Sequence, residues 1–135
     1  MRCRRFNNRG QRGSQLAEAL AIGMFIVMIL LGLLDLIVMV MANSVNDAAA
    51  KNAARAAANQ GQYAKAVEAA QNAVAGGRGK SGSFITALTL EDMDYSDHNI
   101  VSVTTKMQMK LPIPIPGMGG NFVFKAKATE PIVAH

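Results

Sequence analysis

LAEALAIGMFIVMILLGLLDLIVMVMA, residues 16–42, is apolar or small at every position except Glu18 and Asp35. Wound as a helix it reaches about 40 Å, more than the roughly 30 Å of a bilayer's hydrocarbon core. A chain of 135 residues has too little else to surround such a run on every side. The run therefore reads as a membrane-spanning helix and not as the core helix of a globular domain. What remains suffices for one small domain.

Charge supports that division. Of the fourteen Lys and Arg, Arg2, Arg4, Arg5, Arg9 and Arg12 precede Gly13, and the nine that remain match the nine Asp and Glu. The net charge of +5 is thus a property of the leader. Beyond it the chain is neutral, which removes the electrostatic basis for binding nucleic acid. Basic residues before the apolar run, with no comparable cluster after it, predict a cytoplasmic N-terminus and an extracytoplasmic remainder. The single cysteine, Cys3, lies in the leader, so nothing downstream can form a disulfide or a cysteine zinc site.

A basic start followed by an apolar run also describes a secretory signal, and Val40-Met41-Ala42 would serve as a cleavage site leaving Asn43 as the new N-terminus. The run is longer than the usual apolar region of such signals. The stretch RGSQLAEALAIG, residues 12–23, offers a different cut. It resembles the start of type IV prepilins, which are processed after a glycine ending a short basic leader and carry glutamate at the fifth mature position. Gly13 then ends the leader, Ser14 is the first mature residue and Glu18 the fifth. GLLDLIVMVMANSVNDAAAKNAARAAANQG, residues 32–61, is similar to TadE-like minor pilins of tight-adherence systems. That family passes through a Gly-x-x-Asp element, here Gly32 to Asp35, into an Asn-Ala-Ala-Arg-x-Ala-Ala element, here Asn52 onward. Ala19 departs from the family, which usually places an aromatic residue after the glutamate.

The resemblance implies a role for Glu18. In type IV pilins this glutamate is thought to pair with the N-terminal amine of a neighbouring subunit and so set axial register. The physics is compatible, because a carboxylate near an amine offsets much of the cost of taking both out of water. Ser14 and Glu18 are also one helical turn apart and can pair within one chain. A glutamate resting in the cytoplasmic headgroup region is the plain alternative. Asp35, in the final turn of the span, either reaches outer-leaflet water or takes part in helix packing, helped by Gly23 and Gly32, which permit close backbone approach.

Residues 44–75 are rich in alanine and other helix formers, so the helix is expected to continue outward. Asp47 and Lys51 have the spacing of an ion pair, and Tyr63, Val67, Ala70 and Val74 form an apolar stripe. Gly61 is the expected break, without which the helix from Ser14 would span roughly 90 Å. The glycine-rich AGGRGKSG, residues 75–82, then stops it. Gly79-Lys80-Ser81 ends like a phosphate-binding loop, but Val74 stands where the first glycine is needed and the order of strand and helix is reversed.

The last third changes period. In IVSVTTKMQMKL, residues 100–111, Val101, Val103, Met107, Met109 and Leu111 share one face, and NFVFKAKAT, residues 121–129, does the same with Phe122, Phe124, Ala126 and Ala128. These predict a β-hairpin on the outer helix, joined by a strand at residues 84–90, with PIPIPGMGG as an extended connection. Lys106, Lys110, Lys125 and Lys127 form either a basic face for an anionic polymer or partner, or, the reading favoured here, charges that keep strands soluble and unpaired at their edges. Glu91, Asp92, Asp94 and Asp97 lack the spacing of a calcium loop and read as a solvated turn. His98 and His135 have no spaced partners.

The expected architecture is α+β: a basic leader (1–13), a transmembrane and assembly helix (14–42), an extracytoplasmic helical region (43–75), a glycine-rich turn (76–82) and a small β-rich region (83–135). No nucleophile with a base, metal set or cofactor loop points to an enzyme. The resemblance implies a pilin-like structural subunit of a tight-adherence or type IV-like pilus, anchored in the inner membrane and, after assembly, part of an extracellular filament. Its implied partners are a prepilin peptidase, other pilin subunits met through the N-terminal helix, the pilus assembly machinery and the membrane. Nucleic acid, cofactors and metals are not expected. The competing reading is an uncleaved single-span membrane protein whose extracytoplasmic domain scaffolds or binds a partner.

Overall fold

The computed structural model of the chain describes residues 9–78, 83–95, 99–113 and 120–133. The order of elements is helix α1 (Arg9–Ala58), helix α2 (Tyr63–Arg78) and strands β1 (Ile85–Asp94), β2 (Ile100–Lys110) and β3 (Asn121–Pro131). The fold is α+β, as the change from helical to alternating period predicts. Two units divide the chain, Met1–Leu34 and Asp35–His135.

In the first unit every described side chain from Gly13 to Leu34 is exposed, including Leu20, Met24, Phe25 and Ile29. The helical segment Gly13–Ala58 is long and apolar enough to cross a membrane, and only 6% of its most apolar window is buried. A core helix of a globular protein would bury its apolar surface. This segment keeps it outside.

The second unit is organised around a stripe on α1. Asp35, Ala42, Asn46, Ala49, Ala50, Ala53, Ala54 and Ala57 are buried at the spacing that returns to one helix face, with Val38 and Met39 half-buried beside them. Ala66, Ala70 and Val74 supply the matching stripe of α2. The expected stripe is thus shifted: Val67 is half-buried and Tyr63 is 57% exposed. Onto this core packs an antiparallel sheet of order β1-β2-β3. Its central strand contributes Val101, Val103, Thr105, Met107 and Met109, with Leu111 just beyond, a strict alternation that buries one face.

Strands β2 and β3 pair without interruption from Ile100 opposite Pro131 to Lys110 opposite Asn121. Strand β1 does not. Its pairing with β2 shifts between Ile85 and Ala87 and again between Leu90 and Asp92. Each extra residue reverses which face the following side chains take. As a result Ile85, Leu88, Leu90, Met93 and Tyr95, irregularly spaced in sequence, all pack on the core. The strand therefore extends through Asp94, and Glu91, Asp92 and Asp94 lie within it and not in a turn. Asp97 lies outside the described residues, as do Gly79-Lys80-Ser81, His98, His135, Cys3 and most of the proline-rich connection.

Gly61 falls in the break between the helices, as its propensity suggests. The break is tied down from three sides. The backbone N–H of Val133 donates to the carbonyl of Ala58 at 3.2 Å, closing one of the free acceptors at the end of α1. The Tyr95 hydroxyl donates to the Gln60 carbonyl at 2.6 Å, and its ring meets that of Tyr63 edge-on at 6.1 Å. Arg55 reaches Glu130 of β3 at 3.1 Å. Asp47 and Lys51, by contrast, do not form an ion pair. Helix α2 runs through Gly76 and Gly77 to Arg78, further than the glycine-rich sequence predicts. Gly77 faces Ala49 and Leu88, and packing there offsets the roughly 1 kcal/mol that glycine costs a helix.

Candidate functional site along the exposed apolar helix

Gly13 and Ser14 lie inside α1, one turn after its described start at Arg9, and not at its beginning as a leader boundary would suggest. A side chain placed at Gly13 would meet nothing within 4 Å. Glu18 follows Ser14 by four residues, so the two project from adjacent turns of one face. Glu18 is exposed and is the first acid in the helix, whose opening turn carries none.

Immediately beyond Glu18 the helix surface has a shallow apolar dent lined by Leu16, Ala19, Leu20, Gly23, Met24 and Val27. Ala19, Ala21 and Gly23 are the small residues among those that line it, and Ala19 and Gly23 are one turn apart. Such small-residue pairs let a second helix approach closely in an apolar setting. The sequence alone points to Gly23 and Gly32 as positions of close approach, whereas Ala19 stands out in it only as a departure from a family pattern. Gly23 and Gly32 both stand in open space, with nothing within 4 Å of an added Cβ.

Asp35, the second acid of the apolar run, differs from the exposed Glu18. Its residue exposure is 2%, so it does not reach water, which was one of its two expected roles. Its Oδ1 has no hydrogen-bond partner among the described residues. A second buried polar group, which sequence reading missed, lies three turns along the same stripe. Asn46 is 0% exposed, and its Oδ1 accepts a hydrogen bond from the Thr105 hydroxyl at 2.9 Å, while its Nδ2 is unpartnered. The Thr105 oxygen also lies 3.5 Å from the carbonyls of Asn46 and Ala126. The period of 3.6 residues through Asp35, Ala42, Asn46, Ala49 and Ala53 was the signal that could have placed Asn46 inside.

Among the described residues no reaction centre is assembled around Gly13, Ser14 and Glu18. The arrangement offers Gly13 and Ser14 as exposed residues of the helix, a carboxylate one turn later, and an apolar helix surface exposed on all sides. A comparison of the chain with protein-family models, with curated proteins and with solved structures finds no match.

Proposed function

We propose that the chain is a pilin-like structural subunit, made with a basic leader, cut after Gly13 by a prepilin peptidase, and built into or used to initiate a tight-adherence or type IV-like filament. In this reading the N-terminus faces the cytoplasm and residues 43–135 lie outside it, before the mature chain leaves the inner membrane for the filament. The observation that carries the proposal is the exposure of α1 on every side from Gly13 to Leu34. A surface of Leu, Ile, Met, Val and Phe left uncovered by its own chain needs lipid or other helices around it.

Cutting after Gly13 changes the electrostatics in a specific way. In the intact helix Glu18 stands nine residues beyond the described start at Arg9. After the cut it lies about one turn from a new cationic amine on Ser14, near the positive end of the helix dipole. That position favours a carboxylate by about 0.3–1 kcal/mol, before any pairing with an amine is counted. Pairing lowers the cost of carrying both charges into an apolar assembly. Glu18 is thus suited to setting register, within one chain or between neighbours.

The test is the mature N-terminus, read by mass spectrometry of the protein isolated from cell membranes. Ser14 is expected, and Gly13→Leu should leave the full-length chain and abolish filament incorporation. A mature chain starting at Asn43, or an uncut and functional chain in both forms, would replace this reading with ordinary secretion or with a permanent single-span scaffold.

A further inference from the structure

We propose that the end of the sheet nearest the apolar span is a second membrane contact, seated in the headgroup layer of the leaflet on that side. The proposal needs the span but not the cut after Gly13. It rests on how far the sheet reaches along α1. The Asn46 to Thr105 hydrogen bond and the Arg55 to Glu130 pair tie sheet to helix at two heights, and Thr105 is paired with Ala126. From Asn46 to Arg55 is about 13 Å of helix, and from Ala126 to Glu130 is about 13 Å of strand, so strands and helix run side by side. In the other direction, Thr105 to Lys110 is about 17 Å of strand, equal to about eleven residues of helix. The row of Lys110 and Asn121 therefore lies level with Asp35. Burial agrees: Asp35 is the first buried residue of α1, and every described residue from Gly13 to Leu34 is exposed.

That height matches a bilayer. The uncovered part of the apolar run, residues 16–34, is about 28 Å of helix, close to the roughly 30 Å of a hydrocarbon core. Its last turns, residues 35–42, overlap the sheet and rise about 12 Å further, while headgroups add about 5–8 Å on each side of the core. Leu36, Ile37, Val40 and Met41 stay exposed there although the sheet has begun. Val123, paired with Gln108, is about 10 Å of strand from the Thr105 row, which brings it beside these residues, and it is 54% exposed. Pro112, just past β2, is exposed and Ile113 is half-buried. An apolar rim thus continues the surface of the span onto the end of the sheet.

The residues beside this rim favour lipid over protein as its cover. Gln108, Lys110 and Asn121 are exposed on the same outward face as Val123. Lysine is depleted in protein interfaces, whose centres are apolar and aromatic. A headgroup layer accepts the mixture, with aliphatic stems toward the acyl chains and ammonium and amide groups among phosphates and ester carbonyls. Net charge is not the attraction, because the acids of β1 stand on the sheet with the lysines: Glu91 holds Lys125 at 2.6 Å, and Asp92 and Asp94 are paired with Thr104 and Ser102, toward the far end. The same height gives Asp35 its surroundings. Its carboxyl group belongs to the apolar run, and the second unit, by covering it to 2% exposure, keeps it from the acyl chains.

The chain has no tryptophan, so a single introduced one reports its own depth. The full chain is placed in bilayers of zwitterionic phosphatidylcholine carrying Val123→Trp at the end of the sheet, Thr129→Trp about 20 Å further along β3, or Phe25→Trp within the span. Phosphatidylcholine brominated near the top of its acyl chains should quench Val123→Trp and leave Thr129→Trp bright, and emission from Val123→Trp should lie to the blue of that from Thr129→Trp. Aqueous acrylamide should quench Thr129→Trp most, and lipid brominated near the chain ends should quench Phe25→Trp most. Gln108→Trp, in the same row on the central strand, gives the same reading if Val123→Trp disturbs the fold. Three results would each overturn the proposal. Bromolipid quenching at the end of the sheet no greater than at Thr129→Trp would mean that this end stands clear of the membrane. Protection there from both bromolipid and acrylamide would mean that a second copy covers it. Quenching by chain-end bromines equal to that of Phe25→Trp would put the whole apolar run, and the sheet with it, in hydrocarbon.

Discussion

Replacing Thr105 by valine should destabilise the second unit by about 2 kcal/mol, although the two side chains have nearly the same shape. The hydroxyl is buried and is the donor to Asn46 Oδ1. Its loss leaves the whole amide of Asn46, at 0% exposure and with Nδ2 already unpartnered, without a hydrogen bond. An orphaned buried polar group costs about 1–3 kcal/mol, while the change from Thr to Val opens no cavity and keeps a β-branched residue in a strand. Asn46→Ala is the complementary change. It removes the amide, gains about 0.5 kcal/mol of helix propensity, and leaves the Thr105 hydroxyl near the two carbonyls at 3.5 Å. In that background Thr105→Val should therefore cost less than about 1 kcal/mol, giving a coupling energy of about 1–2 kcal/mol. Hydrogen exchange of the β2 amides in the full chain in micelles reads the effect, since these amides open only with the whole unit. Thr105→Val alone should raise their exchange about thirtyfold, at 1.4 kcal/mol per tenfold. A neutral Thr105→Val, or the same loss with and without Asn46, would refute the idea that this pair holds sheet to helix.

Two further outcomes follow from buried or tethering groups. Asp35→Leu should stabilise the second unit by about 1–3 kcal/mol, because it removes a buried oxygen without a partner; slower β2 exchange checks this, and faster exchange would mean that the carboxyl is satisfied. Tyr95→Phe keeps the ring against Tyr63 but deletes the 2.6 Å hydrogen bond to Gln60. It should cost about 0.5–1.5 kcal/mol and appear as faster proteolysis at residues 59–62; an equally protected turn would show that the hydroxyl does not hold it.

The parts of the fold legible in the sequence are those governed by one period at a time. The apolar run of residues 16–42 is long enough to read by length alone, β2 and β3 alternate without a fault, and Gly61 marks its break. Strand β1 was legible only to Leu90 because its two bulges exchange faces in mid-strand, so Met93 and Tyr95 look out of phase and the acids between them look like a turn. The end of α2 is not legible locally, because Gly76 and Gly77 count against a helix, whereas Ala49 and Leu88 pack against Gly77 from far away in sequence. At the candidate site, the spacing of Gly13, Ser14 and Glu18 is a local pattern and is visible directly. The burial of Asp35 is not, since it depends on what the rest of the second unit brings over α1.

The buried stripe of α1 has a mechanical consequence. Alanine presents a nearly smooth surface, with no long side chains to lock into the sheet above it, and an all-alanine contact would look much the same if the sheet were displaced by one helical turn. What breaks that degeneracy is a pair of pins: the Asn46 to Thr105 hydrogen bond midway along the contact, and the Val133 to Ala58 bond with the Arg55 to Glu130 pair at its end. The sheet is seated on this smooth rail by polar fasteners, and they fix its position along the helix.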